Sequence, residues 1–419
     1  MEKIKIGIIG LGTVGTGVYK SLKKFDNVEI MKVAVRNINK PRSVNVPQEI
    51  LTDNPYEIVN NPEIDVVVEL IGGVDPAWDY IKTSLEKGKH IVTANKELLA
   101  KKGEELFNIA EKQNRVVLYE AAIAGGIPLI MPIKTILAGN KIDKIQAILN
   151  GTTNYILTKM DVDSASYEEV LKEAQDLGYA ETDPTGDVEG FDAAYKITTL
   201  ATISFNSRVK FENVYREGIT KIRKEDMQNA NELGYKIKLI ASATIDEQNK
   251  ADVRVHPMLV PKSNMLAHIN YVTNAVALSG HPIGNIVLSG PGAGEFPTAS
   301  SVIGDILAIA REWNTTDYLL PMMRCHHHST ANPINIEDTY NRYYFSITAP
   351  NAIGVIAKIG SICANKNISL SSIVQKGVKE DNTAEITVIT ENCLEKNIKE
   401  VVEELDGCTL NSIIRVMEE

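Results

Sequence analysis

The sequence predicts an α/β chain in three parts: a doubly wound parallel sheet, a mixed α+β segment, and a small βαββαβ module at the end. Three observations predict it. Short β-branched runs alternate with helical stretches over residues 4–130. The glycine loop "GLGTVG" (10–15) follows the first run directly. The final stretch, 342–419, repeats the alternation on a smaller scale, in the ferredoxin-like order.

In chain order, "IKIGIIG" (4–10), "EIMKVAVR" (29–36), "DVVVELIGG" (65–73), "KHIVTANK" (89–96) and "RVVLYEAAI" (115–123) are near-continuous apolar runs. Strands this apolar are buried on both faces, as in a parallel sheet covered by helices. Val14, Val18 and Leu22 recur every four residues after the loop, the spacing of one helix face. Further on, "SYEE" (166–169) is a capping box: the serine oxygen takes a helix N–H and the glutamate reaches back. Val170, Leu171, Ala174 and Leu177 then form one face, and Gly178 stands where a left-handed stop is wanted. A helix is expected from near Phe191, carrying Asp192 and Lys196, and another over "SVIGDILAIAREW" (301–313). The expected boundaries are 1–133 for the parallel sheet (with helix 301–320 returning to it), 134–300 for the mixed segment, 321–340 for a linker and 341–419 for the terminal module.

The 419 residues carry a formal net charge of -10 with both signs interspersed, which argues against a nucleic-acid partner. No apolar run approaches the roughly 18–20 residues that span a bilayer, so no membrane partner is expected. The start, "MEKIKIGIIG", passes from charge straight into a strand and does not read as a signal peptide. Cys325, Cys363, Cys393 and Cys408 form no C-x-x-C pair, so neither a zinc site nor a disulfide framework is indicated, and a reducing cytoplasm is the expected compartment. His326–His328 lie on a polar stretch broken by proline, where adjacent histidines more often bind nothing specific than a metal.

"GLGTVG" is G-x-G-x-x-G between a strand and a helix, the context of a Rossmann-type dinucleotide site. Gly10 allows the tight turn, Gly12 the close approach of a pyrophosphate, and Gly15 the close packing of helix on strand. The helix N-terminus offers N–H groups to phosphates. An NAD site normally places an acid at the end of the second strand. Here that strand ends "VAVRN", with Arg36 instead, followed by Lys40 and Arg42. An arginine favours a 2′-phosphate, so NADP is expected over NAD, with NAD still compatible. Lys40 and Arg42 fit an ordinary solvated surface equally well.

"GYAETDPTGDVEGFDAAYKITTLA" (178–201) gathers Glu181, Asp183, Asp187, Glu189 and Asp192 ahead of one lysine, Lys196. Asp192 and Lys196 are four apart on a presumed helix, which alone suggests a common surface ion pair. Their neighbours are small and apolar, however, and the acids before them lie on glycine- and proline-containing chain that can aim side chains at a cleft. Converging carboxylates suit a substrate with an ammonium group, and a lysine among them can transfer a proton. "VTANKELLA" (92–100) puts Asn95 and Lys96 at the carboxyl end of a parallel strand, where open α/β sheets bind ligands. A cation there opposes the helix dipole, which speaks against a merely structural Lys96.

Together, "GLGTVG", "VTANK", "YEAAIAGGIP", "NGTTNYIL", "LGYAETDPTGDVEGFDAAYK" and "SGPGAGEFPTA", in this order over residues 4–320, resemble homoserine dehydrogenase, and the tail resembles an ACT module. The resemblance implies NAD(P)-dependent interconversion of L-homoserine and L-aspartate 4-semialdehyde. It implies Lys196 and Lys96 as the catalytic pair, Asp192 on the reacting hydroxyl, and Thr152, Tyr179, Glu181 and Asp187 holding the amino acid. Gly10, Gly12, Thr13, Val14, Gly15, Arg36, Thr93, Lys96, Gly178, Gly294 and Glu295 would contact the cofactor. "YEAAIAGGIP" matches a monovalent cation site, expected to hold Na+, made of the Glu120 side chain and the carbonyls of Ile123, Gly125 and Ile127. A homodimer or homotetramer is implied. L-threonine is the expected effector of the tail, at the loop "APNAIG" (349–354) with Asn351 and Gly354. The rival readings are an NADP-linked reductase of another amino-acid carbonyl compound and a non-catalytic nucleotide sensor; neither requires the Glu181/Asp192/Lys196 set.

Overall fold

The computed structural model describes residues 3–312, 323, 325, 327 and 329–418. They divide into two compact units: Met1–Leu149 with Asp192–Val214 and Thr273–Ala331, and Asn150–Phe191 with Tyr215–Val272 and Asn332–Glu419. His326 and His328, with Pro321, Met322 and Arg324 of the expected linker and residues 313–320 at the end of the expected helix 301–320, lie outside the described residues.

The chain opens with β1 (Ile4–Ile9), α1 (Thr13–Leu22), β2 (Val28–Ala34), β3 (Leu51–Thr52), α2 (Tyr56–Val59), β4 (Val66–Glu69), α3 (Ala77–Glu86), β5 (His90–Thr93), α4 (Lys96–Lys112) and β6 (Val117–Leu118). The six strands pair in parallel in the order β3-β2-β1-β4-β5-β6, the doubly wound order of a dinucleotide-binding sheet. Ile6, Ile8, Val66, Val67, Val68, Ile91 and Val92 are all buried, as their unbroken apolar runs require. The strands are shorter than those runs. β4 stops at Glu69, whose buried carboxylate accepts the N–H groups of Ile71 (2.8 Å) and Gly72 (3.2 Å) and turns the chain away. Gly72 and Gly73 both take positive φ there, 71° and 73°. The run 115–123 yields only β6, because Glu120 is already helical (φ -49°, ψ -42°) and starts α5 (Ala121–Ala124). β3, two residues long, gave no signal of its own.

The first unit continues with α6 (Ile130–Lys134) and β7 (Lys141–Ile148). The second begins at Asn150 with α7 (Gly151–Asp163), α8 (Tyr167–Asp176) and α9 (Thr185–Val188). The capping box at Ser166 and Glu169 is formed, and Gly178 has φ 75° just past α8. Leu177, expected on the buried face, is 57% exposed: it follows the last helical residue and so leaves the helix's spacing. α10 (Phe191–Ser204) carries the chain back into the first unit.

β8 (Tyr215–Arg216), α11 (Lys224–Glu232), β9 (Tyr235–Ile245) and β10 (Lys250–Pro261) belong to the second unit, where β9 and β10 form a long antiparallel hairpin. β11 (Thr273–His281), β12 (Gly284–Pro291) and α12 (Glu295–Glu312) return to the first, where β12-β11-β7 is antiparallel and α12 packs on α1. α12 starts six residues ahead of the expected Ser301. Pro297 is tolerated in its first turn, where N–H groups have no intrahelical acceptor.

The last stretch of the second unit holds β13 (Asn332–Pro333), β14 (Tyr340–Pro350), the helix Val355–Asn365, β15 (Leu370–Val378), β16 (Thr383–Thr390), β17 (Cys393–Leu394), the helix Glu395–Glu403 and β18 (Thr409–Val416). The order β18-β14-β16-β15 is the ferredoxin-like sheet. Its helices pack over Phe345, Ile347, Ile386 and Val388. β18 also pairs in parallel with β10, and β13 joins β10 within the expected linker, so that segment is partly sheet. No helix of the described residues is long and apolar enough to cross a membrane.

Candidate active site

At the carboxyl edge of the parallel sheet, a network of buried side chains fixes the strand ends. Thr93 Oγ1 donates to Glu69 Oε2 (2.6 Å) and accepts the Asn95 N–H (3.0 Å). Burial pushes the Glu69 carboxyl up from its ordinary range. Asn95 caps α4, accepting from the Leu98 N–H at 3.1 Å, and its amide donates to the Gly73 carbonyl at 2.6 Å. The first residue of α4 is therefore held in place, and it is Lys96.

Lys96 pairs with Asp192 Oδ1, which offsets the unfavourable position of a cation at a helix N-terminus. Asp192 stands near the start of α10, where a carboxylate is favoured. Its other oxygen, Oδ2, accepts from Lys196 Nζ at 2.7 Å, one turn along the same helix. Lys196 also donates to the Leu149 carbonyl at 2.8 Å. The two lysines differ in exposure: the Lys96 side chain is 42% exposed, that of Lys196 10%. Burial alone would raise the Asp192 carboxyl, but the Lys196 and Lys96 charges outweigh it and hold the group well below the usual carboxylate range. One ionised carboxylate thus orders two ammonium groups, one buried and one accessible.

The glycine loop lies at the amino end of α1. Gly10 has φ 105°, and a Cβ on Gly15 would lie 2.2 Å from the Gly10 carbonyl oxygen. A Cβ on Gly12 would meet nothing within 4 Å, and Gly12, the residue ahead of α1, brings no side-chain cap to it. Open space beside uncapped helix N–H groups at Thr13 and Val14 fits a dinucleotide's phosphates. Arg36 is exposed just past β2. Arg42 instead braces its own loop, donating to the carbonyls of Ile38 and Lys40 at 2.8 Å each, which supports the ordinary surface account of that residue. Thr93, fully buried, directs its hydroxyl into the strand-end network. Gly294 has φ 120° before α12, and the Glu295 carboxylate pairs with Lys20 of α1 at 2.8 Å.

Glu120 is buried. Its Oε1 accepts the N–H groups of Leu129 (2.5 Å) and Ile130 (2.9 Å), and its Oε2 that of Met131 (2.7 Å), so it caps α6 and keeps acceptor capacity on Oε2. Buried Asp305 accepts the Glu120 N–H, and burial and the Glu120 charge push the Asp305 carboxyl well up. A carboxylate and backbone carbonyls are the hard oxygen donors that a hard cation takes, and those are the donor types at Glu120, Ile123, Gly125 and Ile127. The Gly125 carbonyl also accepts from Ser301 Oγ at 2.6 Å.

In the second unit, Thr152 Oγ1 donates to the Tyr179 carbonyl at 2.7 Å, and the Tyr179 ring lies 4.9 Å from that of Tyr155. Asp187 Oδ1 accepts from the Asn150 amide at 2.6 Å; Asn150 also caps α7. Glu181 and Gly178 are exposed. Sequence reasoning did not single out Asn150, Glu69, Gly17 or the Leu149 carbonyl. An asparagine ahead of "GTT" is an N-cap signal that could have found the first.

Family models match over residues 10–120 (homoserine dehydrogenase, NAD binding domain), 128–307 (homoserine dehydrogenase) and 343–408 (ACT domain). A homoserine dehydrogenase of Synechocystis is 42% identical, covering 99% of each chain. This chain belongs to the homoserine dehydrogenase family. It is accordingly an oxidoreductase acting on a CH–OH group, with a nicotinamide dinucleotide as cofactor. The solved homoserine dehydrogenase of Thiobacillus denitrificans superposes with a TM-score of 0.93 at 37% identity, covering 100% of this chain and 99% of that one. A hyperthermophilic archaeal homoserine dehydrogenase mutant, solved in complex with NADPH, is 26% identical with a TM-score of 0.64, covering 75% of this chain and 100% of that one.

Proposed function

We propose that this homoserine dehydrogenase interconverts L-homoserine and L-aspartate 4-semialdehyde with Lys196 as the proton-transferring group. The sharing of Asp192 between Lys196 and Lys96 carries this reading. The bound cofactor supplies or accepts the hydride. Lys196 gives a proton to the carbonyl oxygen as the aldehyde is reduced, and takes it from the hydroxyl in the reverse direction. Asp192 keeps both lysine side chains oriented on the reacting oxygen, whose single proton passes from the Lys196 ammonium or back to its neutral amine. Lys96, the accessible lysine, stabilises the negative charge that develops on the same oxygen. The charges of Glu181 and Asp187 suit the substrate ammonium, with Thr152 and Tyr179 as neutral partners for the amino acid.

Arg36 reads a 2′-phosphate, so NADP is the preferred cofactor in this reading, and Gly10, Gly12 and Gly15 make the approach to the pyrophosphate. Gly178, Gly294 and Glu295 serve the same ligand. Glu120 with the carbonyls of Ile123, Gly125 and Ile127 would hold a monovalent cation that orders the turn after β6. The ACT module answers to L-threonine at residues 349–354. Gly354, with φ 89°, opens the helix Val355–Asn365 there, and Asn351 accepts from the Gln375 amide at 3.2 Å.

The test is turnover of aspartate 4-semialdehyde by the purified protein with NADPH and with NADH, followed by loss of reduced-nicotinamide absorbance, with and without L-threonine. Turnover with NADPH ahead of NADH, slowed by L-threonine, is expected. Failure to turn over the semialdehyde would overturn the substrate assignment.

A further inference from the structure

The helix that carries Asp192 and Lys196 begins at Phe191, and in the second unit the chain leading to it is gripped by the segment Tyr215–Ile219. The Arg216 guanidinium lies 3.5 Å above the centre of the Phe191 ring. Its aliphatic stem covers Gly190, where a Cβ would lie 3.2 Å from Arg216 Cγ, and Gly190 takes φ 78°. Two residues on, a Cβ on Gly218 would lie 2.4 Å from the Val188 carbonyl oxygen, and the Ile219 N–H donates to that same carbonyl at 2.9 Å. The four residues before Asp192 are therefore held from one side by side-chain stacking and close backbone contact.

The gripping segment is itself fixed. β8 pairs in parallel with β10, placing Arg216 beside Val255, and the Glu217 N–H donates to the Val255 carbonyl at 2.8 Å. Glu217 accepts from Arg415 Nη1 at 3.0 Å, and buried Arg415 is bidentate on Glu395 (2.5 and 3.1 Å). A cation seated on a ring in this way holds the ring's plane and height, not merely its burial.

We propose that Arg216 is a positioning residue for the reaction: through Phe191 it sets the axial and rotational placement of the first turn of α10, and so of Asp192 between its two lysines. This rests on the reading of Asp192 given above. Small displacements of a positioned group cost rate more than binding. The effect of losing the clamp therefore falls on kcat.

The variants are Arg216→Ala, Arg216→Lys, Phe191→Leu and the double variant Arg216→Ala/Phe191→Leu, assayed in the full chain for kcat, KM of both substrates and Tm, with Asp192→Asn alongside. Arg216→Ala should lower kcat about 3- to 30-fold, the range a cation–ring contact spans, with KM for NADPH little changed. Arg216→Lys should recover much of the rate. The double variant should be no slower than the slower single one, since both remove one contact. Unchanged kcat in Arg216→Ala, additive losses, or a loss in Arg216→Lys equal to that of Arg216→Ala would overturn the proposal. If Arg216→Ala does not fold, Phe191→Leu and Arg216→Lys decide by the same split between kcat and KM. If Asp192→Asn keeps its kcat, the reading of Asp192 has failed. If Asp192→Asn collapses while the Arg216 variants do not, only the clamp has failed.

Discussion

Lys196 Nζ lies 2.7 Å from Asp192 Oδ2, one turn along α10, and both side chains are about nine-tenths buried. A pair at this spacing on an exposed helix face contributes only about 0.3–0.5 kcal/mol. Buried, and joined by Lys96 at the other oxygen, it is a different object. Removing one member leaves uncompensated charge in the interior, so the arrangement is held together by mutual need.

The cofactor reading gives the first prediction. Arg36→Asp should raise KM for NADPH far more than KM for NADH, because one charge-assisted contact is replaced by repulsion of a 2′-phosphate. Such contacts contribute roughly 1.5–3 kcal/mol, or about 10- to 150-fold. Steady-state kinetics with both cofactors decides. Equal changes would mean that Arg36 only shapes the loop after β2.

The second concerns α1. A Cβ on Gly17 would lie 2.6 Å from the Glu295 carbonyl oxygen, which is backbone and cannot swing aside. Gly17→Ala gains about 1 kcal/mol of helix propensity but forces α1 from α12 at a cost of about 1–3 kcal/mol. We expect a lower Tm and a raised KM for NADPH, since the amino end of α1 moves with it. A Tm at or above that of the wild type would show that the helices part without strain.

The third is a pH dependence in the second unit. Lys238 is buried, donating to Asn154 Oδ1 (3.1 Å), the Ile269 carbonyl (2.6 Å) and Asn270 Oδ1 (3.1 Å). Burial brings its ammonium down to about 8 from an ordinary 10.5. Between those values the unfolded chain binds the proton more than the folded one, so stability rises with pH across the window and has no slope from this group below it. The full effect is on the order of 3 kcal/mol. Over urea titrations from pH 7 to 10.5, the wild-type midpoint should rise relative to that of Lys238→Met as pH rises. Parallel curves would contradict the depressed value.

Much of the architecture was legible because burial on both faces leaves strands unbroken in hydrophobicity, as at "DVVVEL", and because the capping box at Ser166 names its own boundary. What was misjudged lay where side chains turn the chain. Glu69 ends β4 by taking two N–H groups, and Glu120 ends the run after β6 by capping α6; neither event shows in apolar periodicity. In the site, the contact of Asp192 with Lys196 was legible from helical spacing, but that spacing alone suggested a surface pair; its burial was legible only from the small apolar neighbours, and Lys96 drew notice by its place at a strand's carboxyl end. That one carboxylate would serve both lysines was not, since Lys96 and Asp192 are far apart in sequence. The Leu149 carbonyl left no signal, because a backbone acceptor has no side-chain signature. Gly17 was hidden because sequence shows a glycine but not what approaches it.

The most direct test of the account is Lys196→Ala, measured for NADPH affinity by cofactor fluorescence and for kcat with aspartate 4-semialdehyde. Cofactor affinity should stay close to that of the wild type, because Lys196 acts at the reacting oxygen and not at the phosphates, while nearly all turnover is lost. A variant that binds NADPH normally and keeps more than about a tenth of kcat, roughly 1.4 kcal/mol of barrier, would contradict it.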